Sequence, residues 1–134
     1  MNPNMEVDDL TELIIGAAIR VHQSAGPKAL ESTYHQMMEI ALRHDGLSFA
    51  REVPIHITFE GETVHNAYRM DLLVEGRVPV EIKSVEKLGP IHFKQLLTYL
   101  RHTKLQVGLL LNFQEEKMKD GVNRLVNQYR PPNH

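Results

Sequence analysis

Asp71, Glu81 and Lys83 fall within YRMDLLVEGRVPVEIKSVEK, residues 68–87, among valines, leucines and isoleucines that otherwise spell two strands. Charged groups in such company cost free energy unless something compensates them. If Glu75-Gly76-Arg77 forms a three-residue hairpin loop, Val74 faces Val78, and counting back sets Asp71 directly opposite Glu81. Alternation then groups Tyr68, Met70, Leu72 and Val74 with Val78, Val80 and Ile82 on a core face, and leaves Arg69, Asp71, Glu81 and Lys83 on the other. Directly opposed like charges start roughly 5 Å apart and weaken a sheet. A divalent cation relieves the repulsion, and converging carboxylate and carbonyl oxygens suit Mg2+, with Mn2+ as a substitute. Lys83, two residues beyond Glu81, projects from the same face, where it can hold or help deprotonate a water, or steady an oxyanion. The plainer alternative is that both carboxylates pair with Arg69 and Lys83 on a solvated face, and another loop length would separate them by shifting the register.

The elements that must position these groups follow from periodicity. Leu10, Leu13, Ile14, Ala17 and Val21 recur at helical spacing over 9–23, with Asp9 and Glu12 as a capping box and Gly26-Pro27 as a stop. A second helix buries Leu30, Tyr34, Met37, Met38 and Ala41 and ends before Gly46. From Ser48 the period is two: Val53, Ile55, Ile57 and Phe59 alternate with polar residues up to a turn at Glu60-Gly61-Glu62. Strands over 64–74 and 78–85 complete a meander. Gly89-Pro90 opens a helix to Thr103 whose buried side is Phe93, Leu96, Leu97 and Leu100. The apolar run VGLLLNF, residues 107–113, reads as an interior strand parallel to the one at 78–85. A last helix carries Val122, Leu125, Val126 and Tyr129, before a frayed tail at 130–134.

His92, Gln95, Tyr99 and His102 form a polar stripe on the helix that follows Gly89, able to offer donors to phosphate oxygens; the alternative is that Gln95 and Tyr99 simply tie the helix to the sheet edge. His92, in the first turn, is either such a phosphate contact or a solvent-facing residue. Tyr34 packs against the first helix or the sheet. Eight histidines lack metalloprotease spacing, and there is no glycine-rich phosphate loop. There is no cysteine, which excludes disulfides and thiolate metal sites. A net charge of −2 gives no global pull on nucleic acid, so any such binding needs a local patch or a bound cation. The 134 residues suit one domain, 1–134, and without a signal-like start or a long apolar run the expected location is cytoplasmic, with no membrane partner.

Met70-Asp71 and Glu81-Ile82-Lys83 resemble the PD-(D/E)XK nuclease motif, and Gln95 with Tyr99 resembles the Gln-x-x-x-Tyr motif of its RecB-like exonuclease branch. More narrowly, GPKALESTY, YRMDLLVEG, VPVEIKSVEKL, IHFKQLLTYL and LLLNF are similar to the small bacterial GxxExxY proteins over nearly the whole chain. Glu31 and Tyr34 keep the name motif, whereas Lys28 replaces its glycine and Met70 replaces the proline before the aspartate. The resemblance implies an α/β, restriction-endonuclease-like core, a mixed β-sheet flanked by helices. It also implies Mg2+-dependent phosphodiester hydrolysis of DNA, or of RNA. In that picture Asp71, Glu81 and the Ile82 carbonyl bind metal, Glu31 is a ligand or supports one, and Lys83 activates or orients water. Two rivals remain open: a catalytically weak nucleic-acid-binding or protein-interaction module on the same fold, and a subunit of a larger complex. So small a core makes a homodimer or a helper protein a further expectation.

Overall fold

The computed structural model describes residues 5–127. Helix α1, Val7–Ala25, buries Leu10, Ile14, Ala17, Ala18 and Val21. It starts earlier than expected, with Glu6 at the N-cap and no capping side-chain bond. Asp9 therefore falls in the first turn, where its charge favours the helix dipole, and the Asp9–Glu12 box does not form. Helix α2, Glu31–His44, buries Tyr34, Met38 and Leu42. Leu30, expected on that face, is its N-cap and is 74% exposed.

Strands β1 (Phe49–Phe59), β2 (Glu62–Val74) and β3 (Val78–Lys83) form the meander, and helix α3 (Pro90–Thr103) crosses over to β4 (Val107–Asn112). The sheet order is β1-β2-β3-β4 followed by β5, Val122–Val126. Among the described residues, only the β3–β4 pairing is parallel. Among the described residues this is a five-stranded mixed sheet with three α-helices, of the expected α/β class and consistent with a restriction-endonuclease-like core.

α1 and α2 cover one face, packing on Leu72, Val74, Val80, Ile82 and the β4 residues Val107, Leu109 and Leu111. α3 covers the other, where Leu96 and Tyr99 meet Ile55, Met70 and Leu110. Burial on both sides explains why β4 is almost continuously apolar. Gly108 lets α3 come close, since a Cβ there would lie 2.9 Å from a Leu96 methyl.

Three expectations are corrected. The predicted last helix is instead a 3-10 turn, Met118–Gly121, followed by β5 antiparallel to β4. Val122, Leu125 and Val126 fit a helical spacing, but pairing with β4 satisfies the backbone of a strand that would otherwise be an open edge. Tyr129 and the tail lie outside the described residues. The strand predicted over 78–85 ends at Lys83, because the Asn112 side chain takes both the N–H and the C=O of Val85, at 3.1 and 2.9 Å. Finally, Tyr68 and Met70 pack on the α3 side with Leu73, whereas Leu72 and Val74 face α1 and α2. The β1–β2 pairs run from Phe49–Val74 to Arg51–Leu72 and resume at Val53–Met70, skipping Glu52 and Asp71. Glu52 has a left-handed φ of 52°, and the alternation changes side there. No helix among the described residues is long and apolar enough to cross a membrane.

Candidate metal centre

The three-residue loop forms and Val74 pairs with Val78, so the rung count holds through Leu72–Val80. At the next rung backbone pairing stops. The Asp71 N–H donates to Glu81 Oε2 at 2.8 Å, and the Ile82 N–H donates to Asp71 Oδ2 at 2.8 Å. Each carboxylate thus takes the place of a carbonyl acceptor on the opposite strand, which locks the two acids together.

Burial, then the charge of Asp71, pushes the Glu81 carboxyl up to about 8. Burial also raises Asp71, against the Ile82 N–H bond and the positive charges of His35 and Lys83, which lower it. Without a cation the pair therefore holds a proton near neutral pH. Asp71 Oδ1 and Glu81 Oε1 accept no hydrogen bond from the described residues. Two hard oxygens beside two anchored ones suit Mg2+, which typically takes one or two carboxylates and fills its octahedron with water. Among the described residues, no group of three or more His, Cys, Asp or Glu side chains forms a ready metal cage.

Lys83 closes β3, half buried, and its ammonium makes no hydrogen bond or ion pair among the described residues. Glu31 opens α2 and makes no hydrogen bond to the pair among the described residues. Between them stands His35, whose Nε2 is 3.9 Å from Glu31 Oε2 and 3.7 Å from Asp71 Oδ2. Sequence reading passed over His35, although its position four residues after Glu31 puts both on one helical face.

The approach to Glu31 is stapled by Tyr34. Its ring stacks on Phe113 at 4.5 Å, and its hydroxyl accepts the Ala29 N–H at 3.0 Å while donating to the Gly26 carbonyl. Ser84 adds a 3.0 Å bond to the Ala29 carbonyl, tying this loop to the end of β3. Lys28 sits here with φ 69°, a left-handed conformation that explains why glycine suits the position.

On α3, Tyr99 packs in the core: it is 5% exposed, with its ring edge-on to Tyr68 at 5.6 Å. Burial, then the charges of Glu81 and Asp71, pushes its phenol up to about 12. Gln95 is half buried, and its amide has no hydrogen-bond partner among the described residues. His92 Nδ1 accepts the Gly89 N–H at 3.1 Å, which caps α3 and leaves Nε2 as the ring donor. No hydrogen bond or ion pair among the described residues joins His92 to the acidic pair.

A sequence model of the PD-(D/E)XK nuclease superfamily matches residues 8–125. Comparison with curated proteins and with solved structures yields no match.

Proposed function

Because the chain belongs to the PD-(D/E)XK nuclease superfamily, we propose that it is a metal-dependent phosphodiesterase that hydrolyses nucleic acid, DNA in the first instance. The observation that carries this reading is the locked Asp71–Glu81 pair, each acid held by the other strand's backbone and each with an oxygen to spare. Asp71 and Glu81 would hold Mg2+ or Mn2+. The Ile82 carbonyl is a further donor, since it leaves β3 on the same flank as the N–H that reaches Asp71. Glu31, on the far side of His35, acts from the periphery as a ligand to a hydrated cation or as a supporting carboxylate. The bound cation supplies charge neutralisation at the scissile phosphate and a more acidic water.

The chain's own residues do the rest. Lys83, with no competing partner among the described residues, orients the attacking water or takes up its proton. Gln95 offers an unused amide to a phosphate oxygen, and His92 offers its Nε2–H. Tyr99, kept as a neutral phenol by burial, is a donor next to the two acids and never a base at neutral pH.

The test uses labelled single- and double-stranded DNA and RNA, with Mg2+, Mn2+ or EDTA. Cleavage should require metal and fall at least about a hundredfold in Asp71→Ala and in Lys83→Ala. Cleavage in EDTA, or activity that survives both substitutions, contradicts the proposal.

A further inference from the structure

Helix α1 turns one face to the core and leaves the other uncovered. At about 100° per residue, Gly16 falls at the middle of the uncovered arc, opposite the buried Ile14 and Val21. Glycine is, after proline, the poorest residue for a helix interior. Nothing in the fold asks for it, since a Cβ at Gly16 would meet no atom within 4 Å among the described residues. Leu13 and Ile19, one turn to either side, are each 37% exposed. Next to them stand the exposed Glu12 and Arg20. Glu12 has no hydrogen bond or ion pair among the described residues, and Arg20 uses only Nη2, toward Asp45 and the Ala41 carbonyl.

We propose that this face of α1 is the contact between two copies of the chain, paired antiparallel about a two-fold axis at Gly16. The symmetry fixes the partners, because a residue before Gly16 comes level with the residue equally far after Gly16 in the other copy. Leu13 then meets the second copy's Ile19, Glu12 meets its Arg20, and each contact occurs twice. One helix thus supplies a small centre, an aliphatic pair around it and opposite charges beyond, as a self-complementary contact requires. A parallel pair would instead set Glu12 against Glu12 and Arg20 against Arg20. With no Cβ at the crossing, the two backbones can approach closely. Beside Arg20 the apolar surface runs on into a hollow of about 360 Å3 lined by Val21, Met37, Ile40 and Ala41, where Ile40 is 49% exposed, so the contact widens beyond one helix. The sheet edges suit a second copy less: β1 carries Pro54 and the left-handed Glu52, and β5 spans five residues. No residue of this face belongs to the metal centre, so the inference stands apart from the nuclease reading.

Sedimentation equilibrium of the full chain between about 1 and 100 µM tests it, because one helix face and its hollow make a small interface, for which micromolar affinity is the expectation. The mass should rise with concentration toward twice that of one chain. Gly16→Leu places a good helix former where the single copy has room, so the melting temperature at low concentration should hold or rise while association weakens at least about tenfold. A merely structural role for Gly16 would move both in the same direction. Glu12→Arg sets like charges at both symmetric contacts and should weaken association about tenfold. Arg20→Glu should do the same, and an equimolar mixture of these two variants should recover association, since each arginine then faces a glutamate. A single-chain mass at every concentration hands this face to a different protein and overturns the inference. Association indifferent to Gly16→Leu, or a mixture of the charge variants no tighter than either alone, overturns it as well.

Discussion

Asp71 and Glu81 oppose each other across β2 and β3, and the molecule without metal bears the cost as a retained proton. Folding raises Glu81 from 4.5 to about 8, through burial first and Asp71 second. The native state then binds a proton that the unfolded chain has already released, so stability falls as pH rises from about 4.5 to about 8. Thermal melts of metal-free protein should show this decline, and Glu81→Gln should flatten it; a flat wild-type profile contradicts the strained pair. Asp71→Asn should stabilise the metal-free protein by about 0.2–1 kcal/mol, most visibly above pH 8, where both acids are ionised. The juxtaposition was legible because strand pairing is arithmetic once the turn at Glu75-Gly76-Arg77 is known. That both acids bond the opposite backbone was not legible, because it depends on the reach of side chains past the last rung.

At the scale of elements, local pattern and tertiary need compete. Residues 122–126 carry a helical spacing, yet they form β5, since β4 needs a partner and five residues suffice to supply one. Gly121 makes that turn possible: a Cβ there would lie 2.0 Å from the Asn112 carbonyl oxygen. The change of side near Asp71 was hidden for a similar reason. Strict alternation assumes an unbroken ladder, and the left-handed Glu52 on the neighbouring strand breaks it. The loop before α2 carries its own test. Lys28 has φ 69° where glycine is free of strain, so Lys28→Gly should raise stability by about 1 kcal/mol. The check is a higher urea midpoint at unchanged slope; a loss of stability would mean that the lysine side chain contributes packing that outweighs the strain.

Across the whole molecule, the sheet brings together groups far apart in the chain: Glu31 and His35 from α2, Asp71 from β2, Glu81 and Lys83 from β3. The core on both faces, with β4 buried between, fixes the ends of these elements, and the hairpin loop fixes their register. A cation shared by Asp71 and Glu81, as proposed, would bind the native state and not the unfolded chain, and would therefore also raise the melting temperature. The most direct measurement is a calorimetric titration of the metal-free protein with Mn2+ near pH 7, repeated in buffers of different ionisation enthalpy. Binding at one or two sites with release of about one proton, abolished by Asp71→Ala and without proton release in Glu81→Gln, is the expected result. No binding, or binding that Asp71→Ala leaves unchanged, would contradict it.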